Sequence, residues 1–282
     1  MSSSDRGQLA RRTWRTVEPL HAMIYFVPEA AAFYELLGIT GRNGYFASRS
    51  APMGAVSAEV AIAAFYNFSP ELVRQAIPIS WDVATPESVV TARLQAVDAS
   101  MLRLLGETTL RSPEMVRAAE LARIAACEAC IRTEGRPLAA GHAGLDWPDE
   151  AHLVLWHAQS ILREYRGDGH CALLVALGLS GAEALVSHAA TGDAPAQLLR
   201  STRGWSIGEW AGAVDSMRSR GWLTGTDELV MTDRGRAKRQ ELEDQTDELA
   251  AAPYDALGDQ GCKELRALVR PWSKVLAEVL FR

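Results

Sequence analysis

The stretch AHLVLWHAQSILREYRGDGH, residues 151–170, holds three imidazoles and two carboxylates, of which His157, Glu164, Asp168 and His170 are within reach of one another. Five of the six histidines in the chain fall between positions 142 and 188, which makes this the densest region for proton chemistry. Residues seven apart share a helix face, so His157 and Glu164 align there, with Trp156 and Ser160 beside them. The pattern predicts a helix from Glu150 to Tyr165 that stops at Gly167, after which RGDGH turns Asp168 and His170 back toward its end. Four such groups together would suit a general acid and base working near neutral pH, or a divalent cation. The spacing is neither H-x-x-x-H nor H-E-x-x-H, so it forces no ligand geometry and no metal is assigned. The competing reading is structural: Arg163, Glu164, Arg166 and Asp168 form an ion-paired helix end, and His170 is a polar cap.

A comparison of the chain with itself sharpens the search for a site. Ala47 to Arg74 and Ala139 to Glu164 share a small-residue stretch, a turn and an amphipathic helix at an offset of about 92 residues. Arg49 then corresponds to His142, Phe65 to Trp156 and Tyr66 to His157. Two related helical units, about 13–105 and 112–170, follow from this reading, packed about a pseudo-twofold axis. Such an axis would gather Arg49, Tyr66, Asn67, His142, Trp156 and His157 around one cleft, with His21 and Tyr25, a helical turn apart, at its wall. Arg49 would hold an anionic group there, and the aromatics would suit a flat, partly apolar small molecule. Core packing is the alternative for the same aromatics.

The elements that must position these residues are helical almost throughout, with Ala, Leu, Glu and Arg at helical spacing. At 282 residues, with 48% apolar and 23% charged side chains, the chain is long enough for two domains, and no apolar run reaches a membrane span. The opening MSSSDRGQLARR lacks an apolar stretch behind its basic residues, so residues 1–12 read as a disordered arm and the location as cytoplasmic. Four scattered cysteines agree with a reducing compartment. CEAC, Cys127 to Cys130, has C-x-x-C spacing but lies in an Ala-rich helical segment with no second pair, which favours packing over metal or redox work. A phosphate-binding loop, a dinucleotide fingerprint and a nucleophile elbow are all missing, and the cofactor is left unassigned.

Strands are called for in one place only. GWLTGTDELVMTD, Gly221 to Asp233, has two short β-prone pieces around Gly225-Thr226-Asp227, and Thr232 is placed to cap a long polar helix after it. Before it lie helices at 182–190, 195–202 and 206–220. With SRGWL closing the third helix and LVMTDRGRAKRQELE leaving the hairpin, this order resembles the MarR-like winged-helix regulators. Taken whole, with YFASRSAPMG and RGWSIGEWAGAV, the chain resembles a little-characterised actinobacterial helix-turn-helix family. The resemblance implies a mainly α protein: helical units over 13–170, a winged helix over 171–252, and a C-terminal helix over 253–282 for dimerisation or packing.

What it implies for DNA meets a poorly furnished reading face. The first turns of the third helix offer Ser206, Gly208, Glu209 and Gly212, whereas a base-reading helix presents donors there. Cations sit around it, at Arg200, Arg203, Arg218, Arg220, Arg234 and Arg236, placed to follow a phosphate backbone. Over Gln197 to Glu241 eight cations meet six anions, a surplus of two, and the whole chain carries −6. The expectation is a small-molecule-responsive transcription regulator that works as a homodimer on double-stranded DNA. The alternative is an enzyme or small-molecule binding protein on the same scaffold, with a winged helix that no longer binds DNA.

Overall fold

The computed structural model describes residues 3–225 and 228–280, which are mainly helical with one two-stranded sheet. Helices α1 (Ser3–Ala22), α2 (Pro28–Glu35) and α3 (Arg42–Ser50) lead through a 3₁₀ turn (Ala51–Met53) into α4 (Ala58–Phe65) and α5 (Pro70–Val83). Next come α6 (Pro86–Leu105), the single turn α7 (Glu107–Leu110), α8 (Pro113–Cys130), α9 (Pro137–Ala143) and α10 (Ala151–Ala176). Helices α11 (Gly181–Ala189), α12 (Ala196–Thr202) and α13 (Ile207–Ser219) precede strands β1 (Leu223–Thr224) and β2 (Val230–Met231). Helices α14 (Asp233–Leu249) and α15 (Ala251–Leu280) follow.

Local sequence explains where several helices begin. Thr85-Pro86-Glu87 and Ser112-Pro113-Glu114 each place a hydroxyl cap, a proline that needs no N–H partner and an acid at the positive helix end. Ser180 with Glu183, and Ser206 with Glu209, form reciprocal capping boxes at α11 and α13. Packing then follows from side-chain size. Six alanines of α8, at 118, 119, 122, 125, 126 and 129, are buried, so α10 and α15 approach this helix closely.

Buried apolar side chains form one large cluster from α1, α6, α8, α10 and α15, including Leu20, Met23, Met101, Met115, Leu155 and Ile161. A smaller cluster joins the end of α10 to α11, α13, the sheet and α14 through Leu174, Val186, Val214, Met217, Trp222 and Leu242. Helix α10 belongs to both, and α11 leaves it at a bend of 103°. The strands pair antiparallel with Leu223 opposite Met231, and Thr232 caps α14 by accepting from Gly235 N at 2.9 Å. Thr226 and Asp227 of the expected turn lie outside the described residues, as do Met1 and Ser2 of the expected arm. No single helix among the described residues is long and apolar enough to cross a membrane.

Three expectations need correction. Residues 3–12 are the first half of α1 rather than a disordered arm, because Leu9, Ala10, Thr13 and Val17 form a buried stripe that packs along α15. Helix α10 does not stop at Gly167; it continues unbroken to Ala176, through the expected boundary at 170. Tertiary contacts override the weak helix propensity of RGDG: the bare Cα of Gly169 makes room for the Arg136 guanidinium, which lies 3.8 Å from the Tyr165 ring centre. The supposed repeat diverges at its compared pair, since Phe65 and Tyr66 end α4 whereas Trp156 and His157 sit inside a 26-residue helix. The C-terminal helix α15 packs against α1 and α8, in keeping with the packing role that was one of its two expected roles.

Candidate functional site

One face of α10 carries Arg163, Glu164, Arg166, Gly167, His170 and Cys171, the floor of a cleft of about 500 Å³. Helix α1 supplies one wall with Arg11, Trp14, Arg15 and Glu18, and Tyr45 and Arg49 of α3 supply another. The roof comes from the other cluster of helices: His188 of α11 and Asp193 after it, Arg203 at the end of α12, and Arg239 and Glu243 of α14. The cleft therefore lies between the helical bundle and the three-helix unit. The charge on its wall is lopsided. Seven arginines (11, 15, 49, 163, 166, 203 and 239) face four carboxylates (Glu18, Glu164, Asp193 and Glu243). Counting Asp247, which pairs with Arg166 at 2.8 Å and Arg11 at 3.2 Å, still leaves a surplus of two.

The deepest of these groups is Glu164, 1% exposed. Both its oxygens accept from one nitrogen of Arg49, at 3.2 and 2.9 Å, and Arg163 donates to it at 2.8 Å. Burial alone would raise its pKa, but the two guanidinium groups overcome that and hold the carboxyl at about 2. Arg163 also bonds Glu18 at 3.1 Å, and the Trp14 indole donates to the same carboxylate at 2.9 Å. Arg49 lies 4.6 Å from the Phe65 ring centre and donates to the Tyr45 hydroxyl, while its Nε has no partner among the described residues. Arg203 has no carboxylate partner there either. It donates to Thr202 Oγ1 at 3.0 Å and sits 4.9 Å over Phe68, and burial lowers its pKa.

The turn between α4 and α5 links the cleft to the three-helix unit. Asn67 and Phe68 line the cleft, and Asn67 N donates to Phe65 O at 2.6 Å, closing a tight turn centred on Tyr66 at φ 55°, ψ −59°. The Tyr66 hydroxyl donates to Leu179 O just before α11. The Trp205 indole donates to Asn67 O at 2.9 Å, and Ser69 N donates to Arg203 O at 2.8 Å. A Cβ on Gly181 would collide with the Tyr66 carbonyl oxygen, so the fit at α11 depends on glycine.

The four residues considered for catalysis do not converge. His157 and His170 lie 13 positions apart on one straight element, roughly 20 Å along its axis. His157 packs edge-on against Trp147, its Nε2 has no partner among the described residues, and burial with nearby Arg93 lowers its pKa to about 4. Asp168 accepts from Ala139 N at 2.9 Å at the start of α9, and burial lifts its pKa to about 7. His170 donates from Nδ1 to Thr246 Oγ1 at 2.9 Å; burial lowers it to about 4. The ion-paired helix end is half present: Arg163 pairs with Glu164, but Arg166 turns to Asp247.

The expected ligand residues are likewise distributed. Only Arg49 and Asn67 line the cleft, whereas Tyr66 borders a neighbouring apolar groove with Cys171 and Val175. His142 donates from Nδ1 to Leu138 O at 2.8 Å and accepts from Arg93 at Nε2 at 3.1 Å, an arrangement that needs the neutral ring, and burial lowers its pKa to about 3. Trp156 is stacked between this Arg93 and His21. His21 in turn bonds Ser160 and Tyr25, each at 2.9 Å. These aromatics are core, as the alternative reading had it, and the pseudo-twofold cleft is not formed by them. Sequence reasoning missed Glu18, Arg163, Arg166, Arg203 and Arg239 as cleft residues. Arg203 was assigned to DNA, and only its place just before the Gly204 turn hinted that it folds inward.

Several further residues expected at DNA serve the fold. Ser206 caps α13 and donates to Glu209 at 2.6 Å. Arg220 clamps the end of α10 through Gly178 O and Leu177 O, at 2.8 and 2.6 Å. Arg200 donates to Trp205 O, Arg218 pairs with Asp215, and Arg236 bonds Met231 O and Asp233. Arg234 is exposed beside the sheet. The outward face of α13 presents Ile207, Gly208, Ala211, Gly212, Asp215 and Ser219, with no cation among them. Of the four cysteines, Cys127 is exposed, Cys130 and Cys171 are half-buried and Cys262 is buried.

No curated protein and no solved structure matches the chain. A family described as a helix-turn-helix family matches residues 10–281, almost the whole length and both clusters of helices. The chain belongs to this helix-turn-helix family, which makes it in general terms a DNA-binding regulator.

Proposed function

We propose that the protein is a small-molecule-responsive transcription regulator, a cytoplasmic homodimer in which the cleft is the ligand site and α11 to α14 form a MarR-like winged helix. The order of three helices, a small antiparallel sheet and a long helix supports the winged-helix assignment. One observation carries the responsive part: the turn at Tyr66 to Ser69 that lines the cleft is also bonded to Leu179, Arg203 and Trp205 of the DNA-binding unit. Ligand occupancy would thus bias where the unit sits relative to its bundle, and in a dimer the spacing of its two copies. The exposed cations Arg234 and Arg236, with Arg218 and Arg200, are placed for phosphate contacts, while α13 itself has little to offer base edges.

The test is selection of genomic fragments by the purified protein at low salt, followed by titration of the enriched sequences. Enriched fragments should carry paired half-sites, and Arg234→Glu should weaken binding about tenfold and flatten its salt dependence. Retention of no fragment at about 50 mM salt would overturn the regulator reading.

A further inference from the structure

We infer that the cleft takes an organic anion with a flat, apolar body, its carboxylate or phosphate held by Arg203 and Arg163 beside the Arg49–Glu164 pair. The inference rests on the ligand-responsive reading above and names the chemistry of that ligand. Charge gives the sign. After every carboxylate on the wall and Asp247 are counted, arginine remains in excess, so a cation or an acid-poor neutral molecule gains nothing from the site that an anion does not gain more.

Two guanidinium groups on the wall have donors to spare for it. Arg203 is half-buried, with its Nε enclosed and unpartnered and no carboxylate paired with it among the described residues, so an anion would satisfy a donor that the fold leaves unmet. Arg163, which also lines the cleft, uses Nε for Glu18 and Nη1 for Glu164, and its Nη2 makes no hydrogen bond among the described residues. One part of the wall is apolar, formed by Phe65, Phe68, Ala64 and Leu138, and Arg203 already lies over the Phe68 ring, while Asn67, Gln240 and Thr246 keep the rest polar. A flat hydrocarbon body fits between aromatic faces and guanidinium planes. About 500 Å³ is larger than a bare inorganic ion requires and within the range of small-molecule sites. Arg203 is also the residue whose carbonyl oxygen accepts from Ser69 N, so an anion on its side chain acts directly at the joint between bundle and DNA-binding unit.

The test uses the full chain and three matched probes, 2-naphthoate, 2-naphthyl phosphate and the neutral 2-naphthamide, with binding followed by ligand-observed NMR. At least one of the two anions should bind at least tenfold more tightly than the amide, and the better anion tells carboxylate from phosphate recognition. Arg203→Gln should weaken that anion about tenfold. An amide that binds as well as the anions overturns the inference, as does a failure of both anions below about 1 mM. Anion affinity unchanged in a folded Arg203→Gln protein also overturns it. The wild-type comparison decides the matter if that variant fails to fold. Anion discrimination without retention of any DNA leaves the inference standing and removes the regulator reading, and DNA retention without discrimination does the reverse.

Discussion

Glu164→Gln replaces the deepest charge in the cleft with a neutral group of the same shape, and its cost can be worked from two directions. The side chain is 1% exposed and pairs with two arginines, so its loss leaves the buried Arg49 without its carboxylate and the half-buried Arg163 with Glu18 alone. Removing one partner of a buried pair costs about 3–5 kcal/mol. Independently, a carboxyl held at about 2 instead of 4.5 corresponds to roughly 3 kcal/mol of preference for the charged form in the fold. The sign follows from the direction: this stability is complete above pH 4.5 and is lost as pH falls through about 2. At pH 7 the variant should therefore lose about 3 kcal/mol, near 10 °C in melting temperature for a domain of this size. Chemical denaturation monitored by circular dichroism reads the midpoint, with Glu59→Gln as a control. Glu59 pairs with Arg74 at the surface, and that variant should melt with the wild type. A loss under about 1 kcal/mol for Glu164→Gln would refute the reasoning, because it would mean that the two guanidinium groups are not held by this carboxylate.

Acid should weaken the fold well before that carboxylate titrates. His142, His157 and His170 have pKa values held at about 3, 4 and 4, below the ordinary 6.5, so the unfolded chain binds protons that the folded one refuses. Stability should decline as pH falls from about 6.5 toward 4, by about 2 kcal/mol or more, and His157→Phe should shallow the decline in urea midpoints; a flat profile would contradict it. Asp168, raised to about 7, acts the other way, as do Glu18 and Asp247, whose carboxyls burial also raises. They oppose five histidines once His21 and His188, likewise lowered by burial, are counted. Gly181→Ala should cost about 1–3 kcal/mol, because the new methyl group meets the Tyr66 carbonyl, and hydrogen exchange should quicken at α11 and the Tyr66 turn; unchanged exchange would show that the joint does not depend on that fit. Ser206→Ala should lower stability by about 1 kcal/mol through loss of the α13 cap, read as a fall in urea midpoint, and no change would show that the capping box contributes little.

Much of the architecture was legible because it is written in local signals. The start of α14 is capped by Thr232, as its sequence position implies, and the α13 stripe at Ala213, Val214 and Met217 is buried, as its spacing implies. The course of α10 was not legible. Two glycines suggested a stop, and only the distant Arg136, fitted against Gly169, explains why the helix goes on. That one misplaced end produced the imagined convergence of His157, Glu164, Asp168 and His170. The cleft escaped for a similar reason: Glu18, Arg49, Glu164, Arg203 and Arg239 come from five separated segments, and no spacing rule joins them. Opposite-charge partners across more than a hundred residues, such as Arg49 with Glu164, emerge only from the packing of helices that are themselves placed by apolar faces.

Tyr66 has a backbone conformation, φ 55° and ψ −59°, that side-chain-bearing residues rarely adopt, and it is held there by its grip on Leu179 and by the indole of Trp205 on the next residue. Such a conformation costs on the order of 1–3 kcal/mol. The clasp between the two halves is therefore a cocked spring. Any rearrangement that lets the tyrosine go recovers this energy, offsetting part of the contacts that are broken. On the ligand-responsive reading proposed above, a ligand that tightens or releases the clasp would shift the balance between its two states about 5- to 150-fold for a bias of this size.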